Sequence, residues 1–223
     1  MIKKYCIMDM DGTLIDSMSY WNQLGYEFLR SKGISGDITK YLNNIKAMTL
    51  EQSAFYFKEC FNLKESVIEL HEQMNNLIAN HYIYDIPLKK GSNEYLLLLK
   101  EYGVNLCIAT ATDKYLINCC LERLKIRGKF DFIISCEEVG EGKSSPAVFN
   151  KCAEIYDVPS TEIAVFDDAF FAIRTANEAG YYTVGIYDEY SSEWEDIKVC
   201  ANEYFSNWKD AYISFRNGIK SEE

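Results

Sequence analysis

Asp9 and Asp11 are two carboxylates separated by one residue at the end of an apolar run, in the stretch CIMDMDGTLIDS. Like charges so close together repel each other, and such a pair is costly unless a cation or a reaction uses it. Other polar or charged side chains follow later apolar runs, namely Thr110, Lys143 and the pair Asp167 and Asp168. If these runs are strands of one parallel sheet, all these groups meet at one rim.

The acidic members of this group predict a metal site. Four carboxylates cannot share a dry site without a divalent cation, and ligands that are all oxygen atoms select a hard metal. Mg2+ typically takes a few carboxylates together with waters and a substrate phosphate. Taken alone, Asp168 could cap the following helix and Lys143 could be a solvated surface lysine. If each group had such a separate role, their positions at four successive strand ends would be a coincidence. We therefore expect that they form one site and that it binds Mg2+.

Five short apolar runs are expected to form the sheet that positions these groups. They are KYCIMDM, NLCIAT, FDFIIS, EIAVFDD and YTVGIYD. Runs that are apolar on both faces and alternate with helical patterns are typical of a parallel sheet covered by helices on both sides. Ligands bind at the carboxyl ends of such strands. The pattern therefore predicts an α/β fold, with Pro146 just inside a helix that Ser145 caps.

The alternation of strands and helices is interrupted in the segment 17–87, which carries helical patterns and no convincing strand. One apolar stripe is formed by Met18, Trp21, Leu24 and Phe28, and another is predicted to run through Val67, His71, Met74 and Ile78. We expect a helical domain at 17–87, inserted into a core formed by 1–16 and 88–223.

Composition excludes several classes of function. Lys and Arg number 23 against 34 Asp and Glu, and a net charge of −11 argues against general affinity for nucleic acid or anionic membranes. The eight cysteines form no C-x-x-C pair and favour buried free thiols in a reducing compartment. Without a signal peptide or a spanning segment, the protein is expected to be cytoplasmic.

The motifs resemble those of the haloacid dehalogenase superfamily, in particular its phosphatases and β-phosphoglucomutase-like members with a helical cap after the first motif. The resemblance rests on DMDGTLIDS, ATAT, the lysine of GEGKSSP, and VFDDAFFAIRTANEAG. It covers nearly the whole chain and implies a Rossmann-like core, a cap over the site, and Mg2+ as cofactor.

The resemblance also implies a role for each motif residue. Asp9 would be the nucleophile that forms an aspartyl phosphate, and Asp11 the general acid and base. Mg2+ would be held by Asp9, the backbone carbonyl of Asp11, and Asp168, with Asp167 assisting. Phosphate would be bound by Thr110, Ala111 and Lys143. The turn after the first strand would be supported by Gly12 and Thr13. The second aspartate points to phosphate-ester hydrolysis or phosphoryl transfer between sugar positions.

Two motifs depart from the usual family pattern. The third reads G-K-S-S-P where G-K-P-x-P is frequent, but the lysine is kept. The fourth reads D-D-A where E-D-S is frequent, and the shorter Asp167 weakens the case for its direct contact with the metal.

The expected function is hydrolysis of a small phosphorylated metabolite by a phosphoric monoester hydrolase, acting as a monomer or a weak dimer. The alternatives are a sugar phosphomutase and an idle phosphate-binding module. Mutase-like relatives carry a histidine soon after the first motif and a cap arginine. Tyr20 stands near the first of these positions and Lys46 near the second, so both are candidates for substrate specificity.

Overall fold

The protein is described here by a computed structural model covering residues 3–45, 48 and 50–222, with side chains up to residue 218. Within these residues the strands are β1 Tyr5–Met8, β2 Asn105–Thr110, β3 Phe132–Ser135, β4 Ile163–Asp167, β5 Tyr182–Ile186 and β6 Glu203–Phe205. The first helices are α1 Met18–Ser31, α2 Thr39–Ile45, α3 Leu50–Phe61 and α4 Val67–Tyr84. The others are α5 Ser92–Glu101, α6 Lys114–Arg123, α7 Cys136–Val139, α8 Ala147–Tyr156, α9 Phe170–Glu178, α10 Trp194–Cys200 and α11 Trp208–Glu222.

The six strands form one fully parallel sheet in the order β3-β2-β1-β4-β5-β6. This confirms the predicted α/β, Rossmann-like core. The first strand lies in the middle, where Met8 pairs with Ile108 of β2 and with Phe166 of β4. The chain that leaves β1 therefore emerges between the carboxyl ends of β2 and β4.

Successive side chains of each strand point to opposite faces of the sheet, so each strand contributes to both faces. Helices bury both of these faces. On one face Ile7 and Val165 pack with Phe149 of α8 and Ala172 of α9. On the other face, Phe166 contacts Trp208 at the start of α11, with ring centroids 6.0 Å apart. The aromatic ring of Tyr95 in α5 lies 5.1 Å from that of Trp208. Helices thus cover the sheet on both sides.

The chain divides into two compact units, one formed by residues up to 16 and from 87 onward and the other by 17–86. Pro87 lies in the first unit, whereas the sequence pattern put it in the second. The second unit contains α1 to α4. Its core includes Leu24, Phe28, Phe57 and Met74.

Two local predictions were wrong by about one residue. Helix α8 begins at Ala147 rather than Pro146, and the Ser145 hydroxyl accepts a 3.3 Å hydrogen bond from the Ala147 amide. In α4 the buried stripe runs through Leu70 and not through His71, whose ring lies near the Asn75 amide on the outer side. Ser66 caps this helix in a capping box with Glu69, and the buried residues Leu70, Met74, Ile78 and Tyr82 follow at intervals of four.

The cysteines are free thiols. Five of them are buried, namely Cys6, Cys107, Cys120, Cys136 and Cys152. Burial raises the pKa of Cys6 to about 12 and that of Cys120 to about 11. Cys60 is exposed, and the remaining two are partly buried. Among the described residues, no helix is both long enough and apolar enough to cross a bilayer.

Candidate active site

Asp9 directly follows the central strand at the carboxyl edge of the sheet. Its amide donates a 2.9 Å hydrogen bond to the carbonyl of Phe166, which continues the β1–β4 ladder by one residue. This bond brings Asp9 level with the end of β4, where Asp167 and Asp168 stand. The carboxylate of Asp9 is buried, with 7% of the residue exposed.

Lys143 bridges the two strand ends. Its ammonium contacts Oδ1 of Asp9 and lies 2.8 Å from Oδ2 of Asp167. The lysine comes from the loop between α7 and α8 and is itself buried, with 6% exposed. Burial alone would lower the pKa of Lys143, but the charges of Asp167 and Asp9 outweigh it and raise that pKa above its usual range. The ammonium therefore stays charged and offsets part of the acidic charge.

Asp168 is held from the turn that follows Asp11. The hydroxyl of Thr13 donates a 2.9 Å hydrogen bond to Oδ1 of Asp168. Gly12 lies against the same carboxylate at φ +78°, and a Cβ there would stand 2.7 Å from Cγ of Asp168. Only a glycine combines this backbone conformation with this close approach. The carboxylate does not cap α9, since the Ala169 amide donates to Oδ1 of Asp167 instead.

Three buried carboxylates form the acidic core of the site. Oxygen atoms of Asp9, Asp167 and Asp168 lie within 4.8 Å of one another. Burial, together with the charges of Asp167 and Asp11, raises the pKa of Asp9 to about 7 against the opposing charge of Lys143. Burial also raises the pKa of Asp168 well above its usual range, with the charges of Asp9 and Asp167 adding to the rise.

This cluster fits a hard divalent cation. The Lys143 ammonium contacts two of the three carboxylates, so ionising all three leaves buried negative charge that this one cation does not offset. All donors are oxygen atoms, which is the ligand type that Mg2+ takes. Asp167 belongs to the cluster although its motif departs from the usual glutamate.

Asp11 is turned toward the end of β2. Its Oδ2 accepts a 2.7 Å hydrogen bond from the hydroxyl of Thr112. The amide of Thr112 in turn donates to the Thr110 hydroxyl oxygen at 3.1 Å. Thr110 is fully buried and Ala111 is exposed beside it. The loop after β2 therefore brings two threonine hydroxyls and the exposed residue Ala111 to the same edge as Asp9.

Sequence reasoning missed Thr112 and a group of residues that hold the turn after Asp11. The Lys89 ammonium donates to the carbonyl of Gly12, and the Trp208 indole donates to the carbonyl of Thr13 at 2.9 Å. A signal existed for Thr112, since it lies two residues after Thr110 in the second motif. No local pattern marked Lys89 or Trp208.

The two candidate specificity residues lie outside this cluster or outside the described residues. Tyr20 is on α1 in the second unit, where its ring packs against that of His81 with the centroids 4.8 Å apart and the planes tilted by 50°. Lys46 lies outside the residues that the structure describes.

Comparison with known proteins agrees with this geometry. The model of the haloacid dehalogenase-like hydrolase family matches residues 6–186. Hexitol phosphatase B of Escherichia coli K12 is 27% identical over 164 residues, which cover 72% of this chain and 73% of the relative. The fructose-1-phosphate phosphatase of the same strain is 24% identical over 185 residues, covering 81% of this chain and 94% of the relative.

Solved structures of low sequence identity share the fold. A Thermotoga maritima protein assigned as a β-phosphoglucomutase superposes with a TM-score of 0.84 at 19% identity, covering 96% of this chain and 99% of the other. The β-phosphoglucomutase of Clostridium difficile has a TM-score of 0.70 at 22% identity and covers both chains completely. The family match spans most of the chain, including all four motifs that meet at the sheet edge. The chain therefore belongs to the haloacid dehalogenase-like hydrolases.

Proposed function

We propose that this protein is a Mg2+-dependent phosphatase that hydrolyses small phosphomonoesters through an aspartyl phosphate on Asp9. The observation that carries the proposal is the Lys143 ammonium between Asp9 and Asp167, inside a buried cluster of three carboxylates. Asp11 is only two positions from Asp9 in the sequence, but its carboxylate accepts a hydrogen bond from Thr112. The two aspartates of the first motif thus have different surroundings, as two different chemical roles require.

Asp9 acts as the nucleophile. One of its oxygens attacks the phosphorus, and a new O–P bond forms while the bond from phosphorus to the leaving oxygen breaks. Forming a covalent intermediate divides one difficult displacement into two easier ones. Lys143 offsets negative charge next to the attacking carboxylate and so favours the approach of a phosphate group in a protein of net charge −11.

Asp11 moves the protons. In the first step it donates a proton to the leaving oxygen, and the alcohol departs. In the second step it takes a proton from the water that attacks the phosphorus, and inorganic phosphate leaves with Asp9 restored. The hydrogen bond from Thr112 orients the Asp11 carboxyl group for both transfers.

Thr110, Ala111 and Lys143 bind the transferred phosphoryl group. The Thr110 hydroxyl accepts from the Thr112 amide, so it can direct its own hydrogen toward a phosphoryl oxygen. Ala111 is an exposed residue, and its backbone amide offers a second donor. Donors aimed at the equatorial oxygens stabilise the charge that develops there in phosphoryl transfer.

Mg2+ is proposed to be held by Asp9, Asp168 and the backbone carbonyl of Asp11, with Asp167 beside them. The bound ion would supply positive charge next to the phosphoryl oxygens. Gly12 and Thr13 keep Asp168 in place through close contact and a hydrogen bond.

The substrates proposed are phosphorylated sugars and polyols. This class is supported by the relatives named hexitol phosphatase and fructose-1-phosphate phosphatase. The second unit, 17–86, is proposed to act as the cap that selects the leaving group. Within it we keep Tyr20 and Lys46 as candidate specificity residues.

The proposal is tested by phosphate release from a panel containing hexitol phosphates, fructose 1-phosphate and phosphoglycolate, with Mg2+ or with EDTA. We expect Mg2+-dependent release by the wild type and a loss of at least about 1000-fold in Asp9→Asn. The matched control is Asp157→Asn, because Asp157 ends α8 at φ 54°, a conformation that asparagine also adopts readily.

Release that persists in Asp9→Asn would overturn the aspartyl-phosphate route. Release that is equal with EDTA would overturn the role of Mg2+. Isomerised sugar phosphates without release would replace hydrolysis by the mutase alternative.

A further inference from the structure

We infer that Lys89 is a positioning residue for phosphoryl transfer, acting through the backbone of Gly12. This inference rests on the function proposed above. Lys89 belongs to none of the four motifs and lies just after the second unit. Its hydrogen bonds go to none of the carboxylates assigned to the reaction, although its charge opposes the rise in the pKa of Asp168.

The ammonium of Lys89 is saturated by acceptors on two loops. It donates to the carbonyl of Gly12, to the carbonyl of Tyr187 at 2.9 Å, and to Oδ2 of Asp188 at 2.7 Å. An ammonium has three hydrogens, so these three acceptors use its full capacity. Lys89 therefore joins the turn after the nucleophile strand to the loop after β5.

Asp188 fixes the lysine from the side of the loop. It is buried, with 2% exposed, and its Oδ1 accepts a 2.9 Å hydrogen bond from the Tyr190 amide. A buried carboxylate bonded at both oxygens has little freedom to move. The lysine side chain is mostly buried too, with 15% exposed, so the pair is not a loose surface contact.

The contact with Gly12 matters because Gly12 is pressed against Asp168. A Cβ at Gly12 would stand 2.7 Å from Cγ of Asp168, so a small displacement of this turn changes the space around that carboxylate. Thr13, the next residue, bonds the same carboxylate. A displacement of the turn also moves Asp11, which precedes Gly12. Holding the Gly12 carbonyl therefore holds two of the groups assigned to the reaction.

Neighbouring carbonyls of the turn are held in the same way. The Trp208 indole donates to Thr13, and the Leu14 carbonyl accepts from the Ser92 hydroxyl at 3.1 Å and from the Lys89 amide at 2.9 Å. Three successive carbonyls are thus anchored by residues from outside the motifs. Lys89 is the charged member of this set and the one that reaches a second loop.

The first test compares Lys89→Met with the double variant Lys89→Met plus Asp188→Leu, and with Lys151→Met as a control. The double variant avoids leaving the Asp188 carboxylate buried without its partner, and apolar replacement of a buried ion pair is often neutral for stability. Lys151 pairs with Glu154 on the surface of α8, so its variant makes the same chemical change far from the turn. Kinetics are measured well below each unfolding midpoint.

We expect both Lys89 variants to lose about 10- to 100-fold in kcat, since a displacement of about 1 Å can cost that much. We expect KM to change by less than about 3-fold, because the lost interaction does not bind substrate. Lys151→Met should behave as the wild type. A folded double variant with wild-type kcat would overturn the inference.

The second test measures amide hydrogen exchange by mass spectrometry in peptides covering residues 9–16, without substrate. Faster exchange in this segment of the double variant, with unchanged exchange in β3, is expected if Lys89 holds the turn. Unchanged exchange in 9–16 would overturn the inference. Should the wild type release no phosphate from any substrate, the proposed function fails, while faster exchange would still uphold the contact through which Lys89 acts.

Discussion

The hydroxyl of Thr112 donates a 2.7 Å hydrogen bond to Oδ2 of Asp11, across 101 positions of the chain. This bond joins the loop after β2 to the loop after β1, and it orients the group that we propose as general acid and base. Thr112→Val keeps the branched shape but removes the hydroxyl. We expect kcat to fall about 10-fold while the fold is retained, because the acid is present but less well oriented.

Steady-state kinetics and thermal unfolding test this prediction together. Thr161→Val is the control. Thr161 is an exposed residue just before β4, so this substitution makes the same chemical change away from the site. Equal kcat values for Thr112→Val and the wild type would show that the bond does not serve the reaction.

Gly12→Ala should inactivate the protein. Alanine at φ +78° is strained by about 1 kcal/mol, and its Cβ would also collide with the Asp168 carboxylate. Gly140→Ala is a matched control, because Gly140 has φ +74° with no atom within 4 Å of the added Cβ. Both variants share the backbone strain, and only the first displaces Asp168.

Denaturant unfolding and phosphate release measure these two effects separately. We expect both variants to lose about 1 kcal/mol of stability from strain, with a further loss and an activity below about 1% only in Gly12→Ala. Similar activity in the two variants would contradict the close contact between Gly12 and Asp168.

Mg2+ should stabilise the first unit. Binding at about 100 times the dissociation constant contributes about 2.7 kcal/mol, which raises the unfolding midpoint by about 5 to 10 °C in a domain of this size. Asp168→Asn removes one of the carboxylates of the cluster and should abolish most of the shift. Differential scanning calorimetry with Mg2+ or EDTA checks this, and Asp157→Asn should keep the wild-type shift.

His81 should make the second unit more stable in acid than in alkali. Its ring nitrogens face Glu27 of α1 at 2.9 Å and Asp85, just after α4, at 2.7 Å. Burial alone would lower the pKa of His81, but the hydrogen bonds and charges of Glu27 and Asp85 outweigh it and raise that pKa above its usual value. The stabilisation is therefore complete below the unfolded pKa of about 6.5 and is lost as pH rises through the folded pKa.

The His81 ring signals in an NMR titration report this pKa directly. We expect Glu27→Gln to lower the pKa of His81. The stability difference between wild type and His81→Gln should be larger at low pH than at high pH. This change should be less than about 1 kcal/mol, because the partners are partly exposed. A titration midpoint unchanged in Glu27→Gln would rule out this pairing.

The fold and the acidic cluster could be predicted because they follow from local patterns. Asp9, Thr110 and Asp167 each stand at or directly after the end of an apolar run, and a parallel sheet brings such ends to one edge. Lys143 lies in the loop after the third run, and its motif keeps the lysine although serine replaces the first of the two usual prolines. Whether these groups act as assigned remains a prediction.

The supporting contacts could not be predicted, because they depend on tertiary packing. Lys89 is 77 positions from Gly12, and Trp208 is 195 positions from Thr13. Trp208 lies in the C-terminal part of the chain, where the sequence carries no motif that marks a functional residue. Only the packing of α11 against the sheet brings its indole nitrogen to the turn.

The distribution of the cysteines makes the protein suited to selective labelling. Cys60, on α3 of the second unit, is the exposed thiol, whereas burial disfavours the reactive thiolate of Cys6, Cys107 and Cys120. A brief treatment with a maleimide dye should therefore modify Cys60 first. The native chain thus provides a fluorescence reporter for the second unit without an engineered cysteine.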